Sequence, residues 1–183
     1  MTERIPFTQL SGEERYGDNA VAGDLAENAV AKVCAAMDRP VVPFAVRVST
    51  KRGQHTTWAE IIQLRPDFLG WGKFIEAQGF GHNRKIVFKE RKLDAMIYWN
   101  AIMPVWFAIY DIIEDNVIFC DLATILWAVK QPSVETMLLQ EGTPYEKNAW
   151  VVPYEILLER KVNDAFAAER VERTNRKKAE GKQ

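Results

Sequence analysis

Arg65-Pro66-Asp67-Phe68 and Phe74-Ile75-Glu76-Ala77-Gln78-Gly79 decide how this chain is read. The first stretch ends an apolar run on a proline-aspartate. The second carries a Glu-x-Gln within the next apolar run. Strand side chains alternate faces, so Glu76 and Gln78 share one face while Ile75 and Ala77 share the other. A hairpin joining the two runs brings Asp67 and Glu76 together. Two carboxylates placed side by side make a hard-oxygen site suited to a divalent cation such as Mg²⁺. Taken alone, Asp67 is a turn residue after Pro66 and Glu76 a solvated strand position. The apolar neighbours Phe74 and Ile75 favour a partly buried Glu76, and a buried carboxylate wants a cation.

Working outward, Gly70-Trp71-Gly72-Lys73 is a tight connection between the two runs. Upstream, the spacing predicts a helix over Gly23–Met37, with Leu25, Ala29, Val33 and Ala36 on one face and Asp38-Arg39-Pro40 as its stop. Val41–Thr50 is rich in β-branched residues and reads as a strand, followed by a basic turn at Lys51-Arg52-Gly53. Thr56–Leu69 and Phe74–Phe80 complete a three-stranded meander. Downstream, Gly79–Lys85 reads as a basic loop and Phe88–Met103 as a helix that Pro104 ends. Val105–Ile113 is a continuous apolar strand, Val117–Leu122 another, and Ala123–Val129 a short helix. Ser133–Gln140 is expected to be helical, and Pro153–Lys178 a charged helix with Leu157, Leu158, Val162 and Phe166 near its start. The division expected is a loose arm over 1–15, a core over 16–130, and a helical extension over 131–183 ending in a basic tail.

Composition bounds the rest. The chain has 183 residues, 48% of them hydrophobic, with six Trp, nine Phe and five Tyr to fill a core. That size suits one compact domain with extensions. A formal net charge of -1 excludes a global polycation, so a nucleic-acid partner must be held locally or through a metal. Cys34 and Cys120 match no metal-ligand spacing and read as buried free thiols, which suits a reducing cytosol. No signal pattern opens the sequence, and Ala101–Ile113 is shorter than the roughly 20 residues a bilayer requires. The expectation is a cytoplasmic protein without a membrane partner, in host cytoplasm if viral. His55 and His82 lack the partners of a zinc site or a Ser/His/Asp triad. Gly79-x-Gly81 opens no helix and is not a dinucleotide fingerprint.

The order helix, three strands, helix, two strands, together with Pro66-Asp67 and Glu76-Ala77-Gln78, resembles the PD-(D/E)xK nuclease superfamily over about Asp18–Val129. The closest flavour is a phage or resolvase-type nuclease. The resemblance implies an α/β fold: a central mixed β-sheet flanked by helices in αβββαβ order, with the helical C-terminal extension added. It implies a Mg²⁺-dependent (or Mn²⁺-dependent) endo- or exonuclease acting on DNA. Asp67, Glu76 and the Ala77 carbonyl would hold the metal. Glu27 fills the position of the helical acid and would hold a bound water or a second ion; alone it is an exposed helix charge.

The departure is Gln78, where the family usually has Lys. Gln78 would orient the nucleophile by hydrogen bonding but brings no charge. Lys89 is the favoured substitute, four residues before Leu93 on the expected helix stripe, with Lys92 set toward the flank and Lys73 toward solvent. Lys51, Arg52, Arg84, Lys85 and Lys92 are the expected DNA contacts. The alternative is a catalytically inactive nuclease-like fold that binds nucleic acid or a protein partner. The Leu157/Leu158/Val162/Phe166 face would dock a second subunit as a homodimer.

Overall fold

A computed structural model of the protein describes residues 12–44, 64–80, 84–139 and 147–161. The elements are α1 (Gly12–Ala36), β1 (Val42–Pro43), β2 (Phe68–Gly70), β3 (Lys73–Phe80), β4 (Lys85–Lys89), α2 (Glu90–Asn100), β5 (Val105–Asp111), β6 (Asn116–Asp121), α3 (Leu122–Ala128), β7 (Glu135–Leu139), β8 (Lys147–Pro153) and α4 (Tyr154–Leu158). The central sheet runs β1-β2-β3-β5-β6. β3 and β5 are parallel, and every other neighbouring pair in that sheet is antiparallel. The parallel pair needs a crossover, which β4 and α2 supply.

The β2–β3 hairpin is built as its turn sequence requires. Gly70 pairs with Lys73, leaving Trp71 and Gly72 as a two-residue loop. Both have positive φ, 37° and 74°, the backbone that suits the right-handed twist of the flanking strands. Gly70 has its own reason to be glycine: a Cβ there would stand 2.8 Å from the Val41 side chain.

Strand alternation divides the core into two layers. Ile75, Ala108, Val117 and Phe119 face α1, where Val30 and Cys34 meet them. Phe74, Phe107, Ile109, Ile118 and Cys120 face the other way. They pack against Leu93 and Met96 of α2, Ile86 and Phe88 of β4, and Ile125 of α3. Burial of such side chains stabilises the fold by about 1.5–3 kcal/mol each. Cys34 and Cys120 are both buried free thiols.

Several expectations are corrected. The first helix starts at Gly12, and the face it buries carries Ala26, Val30 and Cys34, while Leu25 is exposed. β4 stands where a loop running to Lys85 and an early helix start were expected. Its Ile86 and Phe88 are buried, and Lys89 closes it on the outward side. Residues 135–139 form strand β7 rather than a helix, and β8 precedes the short α4. The backbone pairing of β4-β8-β7 in a second antiparallel sheet overrides helix formers such as Glu135, Met137 and Leu138. The segment beyond 131 is therefore not simply helical. Its Val152, Tyr154 and Leu157 are buried in the same core as Phe107. Leu157 is fully enclosed and Leu158 packs against the same core, so these two residues pack within their own chain. Val162, Phe166 and the basic tail lie outside the described residues, as do residues 45–50 of the expected 41–50 strand and residues 56–63 of the expected 56–69 strand. No helix among the described residues is long and apolar enough to cross a membrane.

Candidate metal centre

Pro66 cannot donate to a sheet ladder, so regular β2 pairing starts only at Phe68. Phe68 pairs with Ile75, and continuing that register would set Asp67 opposite Glu76. The Asp67 N–H instead donates to the Ile75 carbonyl, 3.1 Å away and one residue off register. Such a bulge re-aims the side chain it carries. Freed from the ladder, the Asp67 carboxylate turns along β3, where its Oδ2 accepts the Ala77 N–H at 2.8 Å.

Glu76 occupies the next position on the opposite face from Ile75 and is 7% exposed. Three neighbours on β3 share that face, and each is covered differently. Phe74 packs on Trp99 with ring centroids 5.3 Å apart. Glu76 meets Lys92, whose Nζ lies 2.9 Å from Oε2. Gln78 donates its amide to the Val87 carbonyl of β4 at 2.7 Å. Lys92 also donates to the Arg65 carbonyl at 3.0 Å, which ties α2 to the chain just before Pro66-Asp67.

The electrostatics are those of two crowded carboxyls sharing one ammonium. Burial pushes the Glu76 carboxyl well above its ordinary range, and the Asp67 charge and a hydrogen bond with the Asp67 side chain push it further. Lys92 opposes this. Burial favours the neutral form of Lys92, but the charges of Glu76 and Asp67 outweigh it and raise its pKa. Lys92 and Glu76 form a close, largely buried ion pair, with Nζ 2.9 Å from Oε2.

The structure thus brings Asp67, Glu76 and Ala77 together. It also brings in Lys92, which was expected on the flank as a DNA contact. Lys89 is exposed at the end of β4, away from the helix stripe on which it was expected. Glu27 is half-buried on α1, the helix that covers the Ile75 and Ala77 face. The charges that act most strongly on Glu76 are those of Asp67 and Lys92, with Glu27 not among them. One Gln78 amide N–H is taken by the Val87 carbonyl of β4. Arg84 contacts Asp111 at 3.7 Å and Glu155 at 3.3 Å, and Lys85 pairs with Glu135 at 3.2 Å. Lys51 and Arg52 lie outside the described residues. No group of three or more His, Cys, Asp or Glu gathers among the described residues. A cation here would have two carboxylates, a backbone carbonyl and water, a set Mg²⁺ accepts because it keeps several waters.

No family model matches the chain, and no curated protein matches it. Among solved structures it is similar to a nuclease from a fusselovirus, at 11% identity and a TM-score of 0.43, over 92% of this chain and 96% of that one.

Proposed function

We propose that the protein is a divalent-metal-dependent nuclease that hydrolyses DNA phosphodiesters. The observation that carries this reading is the meeting of Asp67 with a buried Glu76, two crowded carboxyls beside the Lys92 ammonium that lies 2.9 Å from Glu76 Oε2. Like charges forced together out of water are costly unless a cation compensates them. Lys92 supplies one positive charge against two carboxylates, so a divalent ion fits the remaining demand. Asp67 and Glu76 would hold it with the Ala77 carbonyl. When bound, such an ion neutralises phosphate charge and acidifies a coordinated water.

The protein's own residues do the rest. Asp67 is fixed in place by the Ala77 N–H, so its second oxygen has a set direction. Packing of Phe74 and Ile75 on either side of the sheet holds β3 rigid, and with it Glu76. Preorganised charge of this kind costs no rearrangement during the reaction.

Linear, circular and branched DNA are incubated with Mg²⁺ or Mn²⁺ and with EDTA. Metal-dependent products are expected. Retarded but uncut DNA would support the inactive binding module instead, a reading favoured only by the absence of a lysine at Gln78. Neither cleavage nor retardation would remove DNA as the substrate.

A further inference from the structure

We propose that the outer edge of β7 joins two copies of this chain, strand against antiparallel strand, about a two-fold axis beside Met137. The second sheet has the order β4-β8-β7, so β4 and β7 are its edges. An edge strand offers a row of backbone N–H and C=O groups to any other strand, and proteins guard such edges with lysine, proline or a covering element. β4 is guarded. Lys85 and Lys89 stand at its two ends, and the Gln78 side chain of β3 reaches its Val87 carbonyl at 2.7 Å. β7 is not. Glu135-Thr136-Met137-Leu138-Leu139 contains no proline or lysine, and among the described residues no strand pairs its outer edge.

The side chains of β7 bear the same mark. Successive residues of a strand point to opposite faces, so Met137 and Leu138 lie on the two sides of the sheet. They are nonetheless 38% and 45% exposed. β7 therefore shows large apolar groups to solvent on both sides while its backbone is paired with β8 alone.

Charge and self-complementarity identify the occupant as a second copy. Glu135 is the one charged residue of the strand, and its carboxylate already meets Lys85 of β4 at 3.2 Å. Pairing thus calls for no counter-charge from outside the chain. With Met137 beside the axis, all five positions are matched: Met137 faces Met137 of the second copy, Thr136 faces Leu138, and Glu135 faces Leu139. The two glutamates then stand at opposite ends, about 14 Å apart along the strands and beyond the roughly 8 Å screening length of physiological salt. One patch meeting itself is what a two-fold interface requires. The joined sheet runs β4-β8-β7 and, across the axis, β7-β8-β4. A contact five residues long is smaller than the roughly 1,200 Å² of stable complexes, so this dimer dissociates on dilution. No residue of β7 belongs to the Asp67–Glu76 centre, so the inference stands apart from the nuclease reading.

The test is sedimentation velocity, without DNA or metal, on the full-length parent, Met137→Lys, Met137→Glu and an equimolar mixture of the two variants. The parent is expected to move from one chain mass toward two between about 1 µM and 1 mM, the range of weak association. Each variant alone should associate at least about fivefold more weakly, because like charges would face each other across the axis. The mixture should regain association, since lysine then faces glutamate. Circular dichroism checks that each variant is folded. If a charge at 137 unfolds the chain, Leu138→Lys takes its place and should also associate at least about fivefold more weakly, its lysines lying diagonally across the axis. A parent that stays monomeric at about 1 mM overturns the inference. Folded variants that associate like the parent overturn it too, because the contact then lies on another face. A mixture no stronger than its components would overturn the pairing of Met137 with itself.

Discussion

Replacing Asp67 by Asn should stabilise the protein and abolish its cleavage. Asparagine keeps a side-chain oxygen to accept the Ala77 N–H, now 2.8 Å from Asp67 Oδ2, so the bulge and hairpin are preserved. What disappears is a charge beside Glu76, which is 7% exposed and held well above its ordinary pKa in part by that charge. Two unit charges about 4 Å apart repel by up to about 4 kcal/mol at an effective dielectric of about 20. Lys92 is attracted by both carboxyls and offsets most of this, and Glu76 can take up a proton. A net gain of about 1 kcal/mol remains, which for a chain of this size raises Tm by about 2–4 °C. Without one of the two carboxylates proposed to hold the metal, cleavage should fall by more than the 10–100-fold typical of changes around a metal's ligands. The assays are metal-free thermal unfolding and single-turnover cleavage at fixed Mn²⁺. A lower Tm would mean the two carboxyls do not repel. Cleavage within tenfold of the parent would mean Asp67 holds no metal.

Further expectations follow from the same geometry. Glu76 is a carboxyl whose folded-state pKa is raised, so the folded state binds the proton more tightly than the unfolded chain does. Metal-free stability should therefore fall as pH rises above the ordinary glutamate value of 4.5 and level off once Glu76 has ionised. Chemical denaturation across pH 4–8 reads this, and Glu76→Gln should flatten it; a profile unchanged by that substitution would refute the assignment. Gln78→Ala should cost about 1–3 kcal/mol by orphaning the Val87 carbonyl, while cleavage stays within about tenfold of the parent. A large loss of rate without loss of stability would return Gln78 to the site. Leu157→Ala should cost about 2–5 kcal/mol, because that side chain is fully buried, with no change in oligomeric state by light scattering. A neutral effect on stability would contradict its place in the core.

The parts of the fold legible in the sequence were those with local signals. The Gly70–Lys73 turn chemistry and the alternation along β3 located the hairpin. That was enough to place Asp67 beside Glu76. The expected place of Lys89 on the helix stripe was off for a boundary reason. Starting the helix at Phe88 puts Lys89 in line with Leu93, but Phe88 belongs to β4, whose pleat sends Ile86 and Phe88 inward and Lys89 outward. With the helix starting at Glu90, Lys92 lies one turn before Met96 on the inner stripe. An apolar alternation only five residues long, with lysine at both ends, carries little signal. The strand β7 was hidden for another reason: its pairing with β8 is non-local, and no residue within it prefers strand strongly enough to announce it.

Crystals of the full-length protein soaked in Mn²⁺ and measured at the manganese absorption edge test the central claim most directly. An anomalous peak between the Asp67 and Glu76 carboxylates, within coordinating distance of both and of the Ala77 carbonyl, is the expected result. Manganese bound elsewhere, or no peak there at a concentration that supports cleavage, would contradict it.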